Sequence, residues 1–352
     1  MLYNGCMEKE KLEKMGDFFA RRVEGYDHHM MNDIRGAWQF YSYTSSLLPK
    51  GREARILDLG IGTGLELHLY LRENPQAFVC GIDLSPEMLE KAKERLPKDQ
   101  IELIQRSYFD VEFPENEYDC AVSVESLHHF TEVRKLGLYK KVFDSLKSDG
   151  YFVITDYFAE DQDQQDQFFS KLETLKKENG IEDDEFYHYD TPLTVENEIS
   201  VLKQAGFKTV NDIRNWEATH VIMAVKHPQL HEVLINNNNQ LYGLKKNMFA
   251  TGEKVVFEVP AVTDVSTKVT SEQASIEMEE YGNMGMIKYS FIMPPADVKV
   301  SITMKNDMIM DRKPLSNLWE KVTGKTGKVC PECGASVSED AHFCPECGRK
   351  LK

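Results

Sequence analysis

Seven residues, Asp58-Leu59-Gly60-Ile61-Gly62-Thr63-Gly64, constrain the fold of this 352-residue chain more than any other stretch. They follow the apolar pair Ile56-Leu57 and precede a helical pattern that begins at Leu65. A strand that ends in closely spaced glycines and turns into a helix allows a ligand to touch the backbone. A dinucleotide-binding loop has its third glycine where this chain has Leu65. The loop therefore predicts a ligand site and argues against NAD or FAD as the ligand.

Two carboxylates belong to the same predicted site. Asp58 stands two places before Gly60, where a carboxylate favours a cationic ligand and does nothing for a pyrophosphate. Asp83 ends the next apolar run, Phe78-Val79-Cys80-Gly81-Ile82, where a carboxylate can accept hydrogen bonds from ribose hydroxyls. The pattern therefore predicts a cationic ligand that also contains a ribose.

Strands and helices alternate from the N-terminus to residue 227. Strand-like runs lie at 55–59, 78–82, 101–105, 119–124 and 151–156, and a last pair lies at 208–213 and 220–225. Helical patterns lie at Lys9–Phe19, Ala37–Leu48, Pro86–Arg95, Val133–Leu146, 162–179 and Thr194–Gln204, with Ser85 and Thr131 as caps. This alternation predicts an α/β domain over residues 1–227 with a mostly parallel sheet.

Four motifs occur in order within this domain: ILDLGIGTG, GIDLSPEML, YDCAVSVESLHHF and LKSDGYFVITDY. Together they resemble the ordered motifs of class I methyltransferases that use S-adenosylmethionine (SAM). The resemblance covers about residues 15–227 and is to the broad group that includes ubiquinone- and menaquinone-biosynthesis methyltransferases. It implies a Rossmann-like, doubly wound sheet and methyl transfer from SAM.

The resemblance also implies which residues hold SAM. Gly60, Gly62 and Gly64 would let the loop lie against the amino acid and ribose of SAM. Asp58 would favour its ammonium group, and Asp83 would accept both ribose hydroxyls.

Further residues are expected around the cofactor by the same resemblance. Leu84 would pack against adenine, and Glu125 follows the fourth strand, where SAM-proximal residues of the family lie. Ser107 and Tyr108 stand after the third strand, where the family often has an acidic residue, and would contact adenine instead. Tyr26, with Phe19 and Arg21, belongs to an N-terminal segment that resembles a lid over SAM.

No catalytic base is assigned by these patterns. His128 and His129, in a Leu-His-His triplet that recurs in the family, and Asp156, at the end of the fifth strand, are the candidates. Each of the three can instead have a purely structural role. One histidine of such a triplet commonly serves packing. O-, N- and C-methylation all remain open, and so does the identity of the methyl acceptor.

The charge and hydropathy of the sequence indicate which classes of partner and which cellular compartment are expected. The formal net charge is −16, and nearly all of the acidic excess lies in residues 1–227. Because acidic surfaces repel phosphate backbones, nucleic acid is disfavoured as a partner. No apolar run reaches the roughly 18 residues of a membrane helix, and residues 1–15 lack an apolar signal-peptide segment. We therefore expect a cytoplasmic protein with no membrane partner.

Beyond residue 227 the pattern changes. The polar stretch 228–247, which contains Asn236-Asn237-Asn238-Asn239, predicts a linker. Alternating runs at 254–259, 265–270, 275–279, 288–293 and 298–304 then predict a small all-β module over 248–306, and 307–328 predicts a second linker. The module resembles strand-rich spacers or binding modules, so a protein partner is possible through it or through the tail.

The tail, residues 329–352, repeats the sequence CPECG. Ten residues separate the pair Cys330 and Cys333 from the pair Cys344 and Cys347. Four thiolates with this spacing suit one tetrahedral Zn²⁺, and so short a tail would take its folding energy from the metal. It resembles zinc-ribbon tails, which implies a structural ion. Cys80 and Cys120, in apolar runs, are expected in the core.

These features favour SAM-dependent methyl transfer to a small-molecule acceptor. One alternative is a protein methyltransferase whose substrate is delivered by the C-terminal modules. The other is a SAM-binding scaffold without catalysis. The sequence does not indicate the oligomeric state.

Overall fold

A computed structural model describes residues 11–50, 53–181, 185–236, 238–261, 265–281, 285–306, 328–330, 336–337 and 350–351. The chain divides into two compact units. The first comprises Met1–Ala261 and Thr267–Thr303, and the second comprises Val262–Ser266 and Met304–Lys352. Within the described ranges, no helix combines the length and the hydropathy needed to cross a bilayer.

The first unit is built on a seven-stranded sheet. Its strands are β1 (Arg55–Leu59), β2 (Phe78–Asp83), β3 (Ile101–Gln105), β4 (Tyr118–Val124), β5 (Leu146–Tyr157), β6 (Thr209–Trp216) and β7 (Thr219–Val225). The spatial order is β3-β2-β1-β4-β5-β7-β6, and β7 runs in the direction opposite to the other six strands. The strand order reverses between β1 and β4, and ligands of such sheets bind at that switch point, beyond the carboxyl ends of the strands. The predicted doubly wound fold is confirmed.

Seven helices cover the two faces of this sheet. They are α1 (Met15–Asn32), α2 (Ala37–Leu47), α3 (Leu67–Glu73), α4 (Pro86–Arg95), α5 (Glu132–Ser145), α6 (Gln162–Asn179) and α7 (Val195–Ala205). Leu57 faces a core shared with α5 and α7, whereas the adjacent Ile56 faces a core shared with α2, α3 and α4. Buried apolar residues on both faces explain the continuous apolar runs of the strands. Cys80 and Cys120 lie in these cores, as expected.

Helix boundaries follow local chemistry. The Ser85 hydroxyl accepts a hydrogen bond from the Met88 amide (3.3 Å), so the predicted cap of α4 is confirmed. Helix α1 begins at Met15 instead of Lys9, because Lys14 forms a β-bridge with Tyr187 and the Met15 amide donates to the Phe186 carbonyl (2.9 Å). These pairings tie the start of α1 to the loop before α7.

The predicted linker at 228–247 is wrong, since this stretch is part of a sheet. Strand β8 (Leu230–Ile235) pairs with β9 (Met248–Ala250) and, in parallel, with β14 (Val298–Asn306). Asn236 exchanges two hydrogen bonds with the backbone of Ile302 (2.8 and 3.0 Å). The asparagine side chains thus hold strands together. Their polarity in the sequence is equally typical of a linker, which is why the prediction failed.

The predicted all-β character beyond this point is confirmed. Strands β10 (Lys254–Pro260), β11 (Val265–Thr270), β12 (Glu277–Tyr281) and β13 (Met286–Ile292) complete two sheets, of order β10-β13-β12 and β11-β14-β8-β9. Their buried side chains, including Val255, Phe257 and Phe291, form a separate core. In the tail, β15 (Lys328–Val329) and β16 (Ser336–Val337) make an antiparallel pair.

Candidate cofactor cleft and adjoining cavity

The glycine loop adopts left-handed backbone conformations at all three glycines. The φ angles are 81° at Gly60, 52° at Gly62 and 71° at Gly64. A Cβ on Gly60 would collide with the Ser126 side chain, and one on Gly64 would lie 2.8 Å from a Leu96 methyl. A Cβ on Gly62 would meet only the Gly60 carbonyl oxygen, at 3.9 Å. Gly60 and Gly62 line the cleft and Gly64 does not, so Gly64 serves the packing of the loop.

Asp83 connects the loop to the end of β2. Its carboxylate accepts hydrogen bonds from the Gly62 amide (2.9 Å) and the Ser85 amide (2.8 Å). Burial raises the pKa of Asp83, and these amide donors oppose the shift. Each carboxylate oxygen keeps a second lone pair that a ribose hydroxyl can use.

A cluster of buried carboxyl groups lies behind and beside the loop. Asp58 is fully buried, and its carboxyl lies against that of Glu66, with which it can share a hydrogen bond only when one of the two is protonated. Burial, and then the charge of neighbouring Glu66, raises the pKa of Asp58 well above its usual range. Burial raises the pKa of Glu66 as well. Unpaired buried carboxylates are costly, so this cluster favours a cation bound nearby.

Helix α1 forms one wall of the cleft, as a lid would. Met15, Gly16, Phe19 and Tyr26 line the cleft from this helix. The Tyr26 side chain is surrounded by carboxylates: burial, then the charges of Glu66, Asp83 and Glu125, raise its pKa. Arg21 instead lies at the rim of the next cavity and pairs with Glu13 (3.2 Å).

The opposite wall comes from the ends of β2, β3 and β4. Leu84, Ser107, Tyr108 and Glu125, which the sequence places around the cofactor, all line this wall. The Tyr108 hydroxyl donates to the Ser126 carbonyl (3.3 Å), which turns the tyrosine toward the glycine loop. Ser126 therefore packs against Gly60 of the loop and also holds the Tyr108 hydroxyl. The sequence patterns did not indicate this role.

Glu125 has a strained backbone, with φ at 48°. Its amide donates to the Thr155 carbonyl (2.8 Å), and its carboxyl accepts from the Thr219 hydroxyl (3.2 Å). Burial, then the charge of Asp156, raises the pKa of Glu125 to about 8. Strain of this kind in a non-glycine residue concentrates at functional sites.

His128 lies on a 3₁₀ turn between two carboxylates. Its Nδ1 lies 2.5 Å from Asp156, and its Nε2 lies 3.5 Å from Asp190. Burial lowers the pKa of His128, but the carboxylates outweigh that effect and raise the pKa to about 10. Asp156 also accepts from the Leu127 amide (2.8 Å). Asp190 was not anticipated, because it stands in an acidic stretch with no motif.

His129 is packed against His128, with ring centroids 4.0 Å apart. Burial and then the charge of His128 lower the pKa of His129. Its Nδ1 lies 3.3 Å from both the Tyr189 carbonyl and the Asp190 carboxylate. Because both partners are acceptors, Nδ1 holds the hydrogen of the neutral ring in this arrangement.

A second cavity, of about 740 Å³, adjoins the cleft. Four residues line both spaces: Phe19, Tyr26, Glu125 and His129. His128, Asp190, Tyr157 and His188 line the second cavity and do not line the cleft. Cavities of this size hold small molecules. The predicted catalytic candidates His128 and His129 thus meet at the inner end of this cavity, whereas Asp156 lies buried behind them.

Comparison with known proteins agrees with this geometry. Residues 56–150 match a family model described as a methyltransferase domain, and residues 329–351 match a zinc-ribbon domain. The chain carries a class I, SAM-dependent methyltransferase domain. Cys330 is buried in the tail, and the other three predicted zinc ligands lie outside the described residues.

Three relatives illustrate the range of similar proteins. Phosphoethanolamine N-methyltransferase of Plasmodium falciparum is 30% identical over 51% of this chain and 63% of its own length. The uncharacterized methyltransferase YcgJ of Bacillus subtilis is 30% identical over 37% of this chain and 51% of its own. Carboxy-S-adenosyl-L-methionine synthase of Nautilia profundicola is 24% identical over 49% of this chain and 77% of its own. The chain thus spans less than two thirds of the first two.

Proposed function

We propose that this protein transfers the SAM methyl group to a small molecule bound in the cavity beside the cofactor cleft. The observation that carries this proposal is the shared wall of the two spaces, formed by Phe19, Tyr26, Glu125 and His129. An acceptor in the cavity would face the cofactor across this wall. Alignment of a nucleophile with an already activated methyl group is the main task of such an enzyme.

The residues of the cleft fit SAM, which supplies a methyl group activated by a sulfonium cation. Asp83 would accept hydrogen bonds from the ribose, and Gly62 leaves room for the ligand at the backbone. Asp58 and Glu66 place two buried carboxyl groups behind the loop, where an ammonium group would favour their ionised forms. Phe19 and Tyr26 of α1 exclude water from the cofactor.

The acceptor cavity has a mixed, polar wall. Carboxylates of Glu125 and Asp190 lie with the two histidines at its inner end, and Arg21 and Arg22 lie at its rim. This distribution suits a small polar acceptor better than an extended peptide. Because one relative is named for phosphoethanolamine, that amine is the first acceptor to assay.

Cofactor binding is tested by calorimetric titration of SAM into wild type and Asp83→Ala. We expect the variant to bind SAM about 5- to 150-fold more weakly, which corresponds to about 1–3 kcal/mol for the lost hydrogen bonds. The exposed Asp110→Ala is the matched control and is expected to bind as wild type does. Equal affinity of Asp83→Ala and wild type would remove Asp83 from the site. NAD binding that SAM displaces would show that the ligand class is wrong.

Methyl transfer is tested with phosphoethanolamine and a pool of metabolites, using the full chain and a chain that ends at residue 306. Equal turnover of a small acceptor by both supports the proposal. Turnover of protein substrates alone, lost on truncation, would favour the alternative in which the tail delivers a protein. SAM binding with no turnover on either pool would favour a scaffold.

A further inference from the structure

Two imidazoles and a carboxylate converge at the inner end of the acceptor cavity. His128 Nε2 and His129 Nδ1 lie 3.5 and 3.3 Å from the same oxygen of Asp190. One donor atom from each of the three residues lies within 4.8 Å of the others. We propose that His128, His129 and Asp190 bind one divalent transition-metal ion.

The spacing of the donor atoms fits such an ion. Imidazole nitrogens and carboxylate oxygens bind Zn²⁺ at about 2.0–2.2 Å, and two donors of a tetrahedral site then lie about 3.3 Å apart. The two measured nitrogen–oxygen separations lie close to that value. Binding also requires His128 Nε2 to lose its hydrogen and the hydrogen of His129 to move from Nδ1 to the other ring nitrogen, because only an unprotonated imidazole nitrogen binds a metal.

A supporting carboxylate is already in place behind the site. The Nδ1 of His128, opposite its proposed metal-binding nitrogen, lies 2.5 Å from the buried Asp156. Metal-binding histidines commonly donate this second hydrogen to a carboxylate, which fixes the tautomer and makes the imidazole a better ligand. Asp156 is itself fixed by the Leu127 amide (2.8 Å) and the Tyr157 amide (3.0 Å).

The segment that carries Asp190 is joined to the turn that carries the histidines. The Thr191 amide donates to the His128 carbonyl (2.8 Å), and the Thr191 side chain is buried. The Ala159 amide donates to the Leu193 carbonyl (2.9 Å), which attaches the same segment to the end of β5. Two parts of the chain that are distant in sequence thus present their ligands from a rigid frame.

The donor set indicates the class of metal and its use. Two imidazoles and one carboxylate suit Zn²⁺, Fe²⁺ or Co²⁺ and differ from the four thiolates predicted for the tail. All three ligand residues line the cavity. The open coordination position would face that space, where it could take an oxygen or nitrogen of the acceptor.

Cobalt distinguishes this site from the zinc ribbon of the same chain. Metal-free full-length protein is titrated with Co²⁺ and followed by its absorption spectrum. Thiolate ligands produce intense near-ultraviolet charge-transfer bands, whereas nitrogen and oxygen ligands produce only visible bands. We expect wild type to bind one equivalent with thiolate bands and a second equivalent without them.

Substitutions test whether the second equivalent of Co²⁺ is bound by the proposed ligands. Asp190→Asn, at a half-exposed position, is expected to weaken that equivalent by more than about 10-fold and to leave the thiolate bands unchanged. His128→Gln is expected to act in the same way. The control His220→Gln alters another histidine that pairs with an aspartate, Asp212 at 2.8 Å, and is expected to bind both equivalents.

Three outcomes would overturn the proposal. The first is wild-type protein that binds only the thiolate equivalent. The second is an Asp190→Asn variant that keeps the second equivalent at wild-type affinity. The third is loss of that equivalent in His220→Gln. Neither SAM nor an acceptor is present in the titration, so its result is independent of whether the proposed methyl transfer occurs.

Discussion

At the scale of single residues, Asp58 opposes the stability of the fold that contains it. It is fully buried, and the only group that its carboxyl faces among the described residues is another carboxyl, that of Glu66. Another buried carboxylate, Asp119 at the opposite end of the sheet, is satisfied by the Arg55 amide (2.9 Å) and the Lys147 ammonium (2.7 Å). The contrast agrees with the proposed role of Asp58 in favouring the ammonium group of SAM.

We therefore expect Asp58→Asn to stabilise the ligand-free protein by about 1–3 kcal/mol at neutral pH, because wild type must either bind a proton at Asp58 or bury its charge on folding and the asparagine needs neither. The folded pKa of Asp58 is raised, so this carboxyl favours folding below its unfolded pKa of about 3.9 and that contribution is lost as pH rises. The melting temperature of wild type should fall relative to the variant between pH 4 and 8. Thermal melts across this range measure the difference.

The same variant should gain less from SAM, because it lacks the charge that favours the ammonium. The control Asp119→Asn breaks a satisfied ion pair and is expected to lower the melting temperature. An Asp58→Asn variant that melts below wild type at pH 7, or that SAM stabilises as much as wild type, would contradict this account.

At the scale of elements, the glycine loop combines two different requirements. Gly64 has no room for a Cβ because of Leu96, and it does not line the cleft. Gly62 has room on its Cβ side and lines the cleft. The equal spacing of these two glycines in the sequence therefore does not reveal that packing requires Gly64 and that Gly62 faces the cleft.

Alanine substitutions separate these requirements. Gly64→Ala is expected to cost about 1–3 kcal/mol of stability, from a left-handed backbone and a close contact. Gly62→Ala shares the backbone strain but lacks the clash, so it should cost less stability and weaken SAM binding more. Gly137→Ala, in helix α5 with open space around the added Cβ, should instead stabilise by about 0.5–1 kcal/mol. Denaturant unfolding and SAM titration of the three variants check this ranking.

At the scale of the whole molecule, the small β sheets are joined to the large sheet of the first unit. Asp149 of β5 accepts hydrogen bonds from the Thr251 hydroxyl (2.8 Å), the Gln229 amide (3.2 Å) and the His231 ring (2.7 Å). Arg214 of β6 pairs with Glu277 of β12 (2.5 Å). The sheets beyond residue 227 therefore contribute to the stability of the first unit.

We expect Asp149→Ala to lower the stability of the first unit by about 1–3 kcal/mol, because three donors lose their acceptor. The exposed Asp99→Ala is the matched control and should change stability little. Hydrogen exchange should show faster opening at strands β8 and β9 in the Asp149 variant. Equal exchange in the two variants would mean that this junction contributes nothing.

The tail belongs to the second unit, apart from the methyltransferase domain. We expect a chelator to abolish the ordered NMR signals of residues 329–352, because zinc would supply their folding energy. SAM affinity and the thermal transition of the first unit should persist. A purified protein that holds no zinc in a cysteine site, or a first unit that unfolds with metal loss, would contradict a structural role for this ion.

Much of the first unit was determined by local sequence. The apolar runs predicted the parallel strands to within a few residues, because burial on both faces requires continuous apolar residues. The glycine loop and Asp83 come from one strand–turn–helix–strand segment, so short-range pattern is enough to place them together. Ser85 likewise caps α4 through a hydrogen bond to Met88, only three residues along the chain.

Tertiary structure alone decided the rest. Asp190 approaches His128 and His129 from more than sixty residues away, and only the pairing of its segment with the turn after β4 brings them together. The asparagines near residue 236 look like a linker until β14 supplies the backbone groups that they bind. Sequence patterns reflect interactions between residues that are close together along the chain. The acceptor cavity, the proposed metal site and the joined β sheets depend on partners that no local pattern contains.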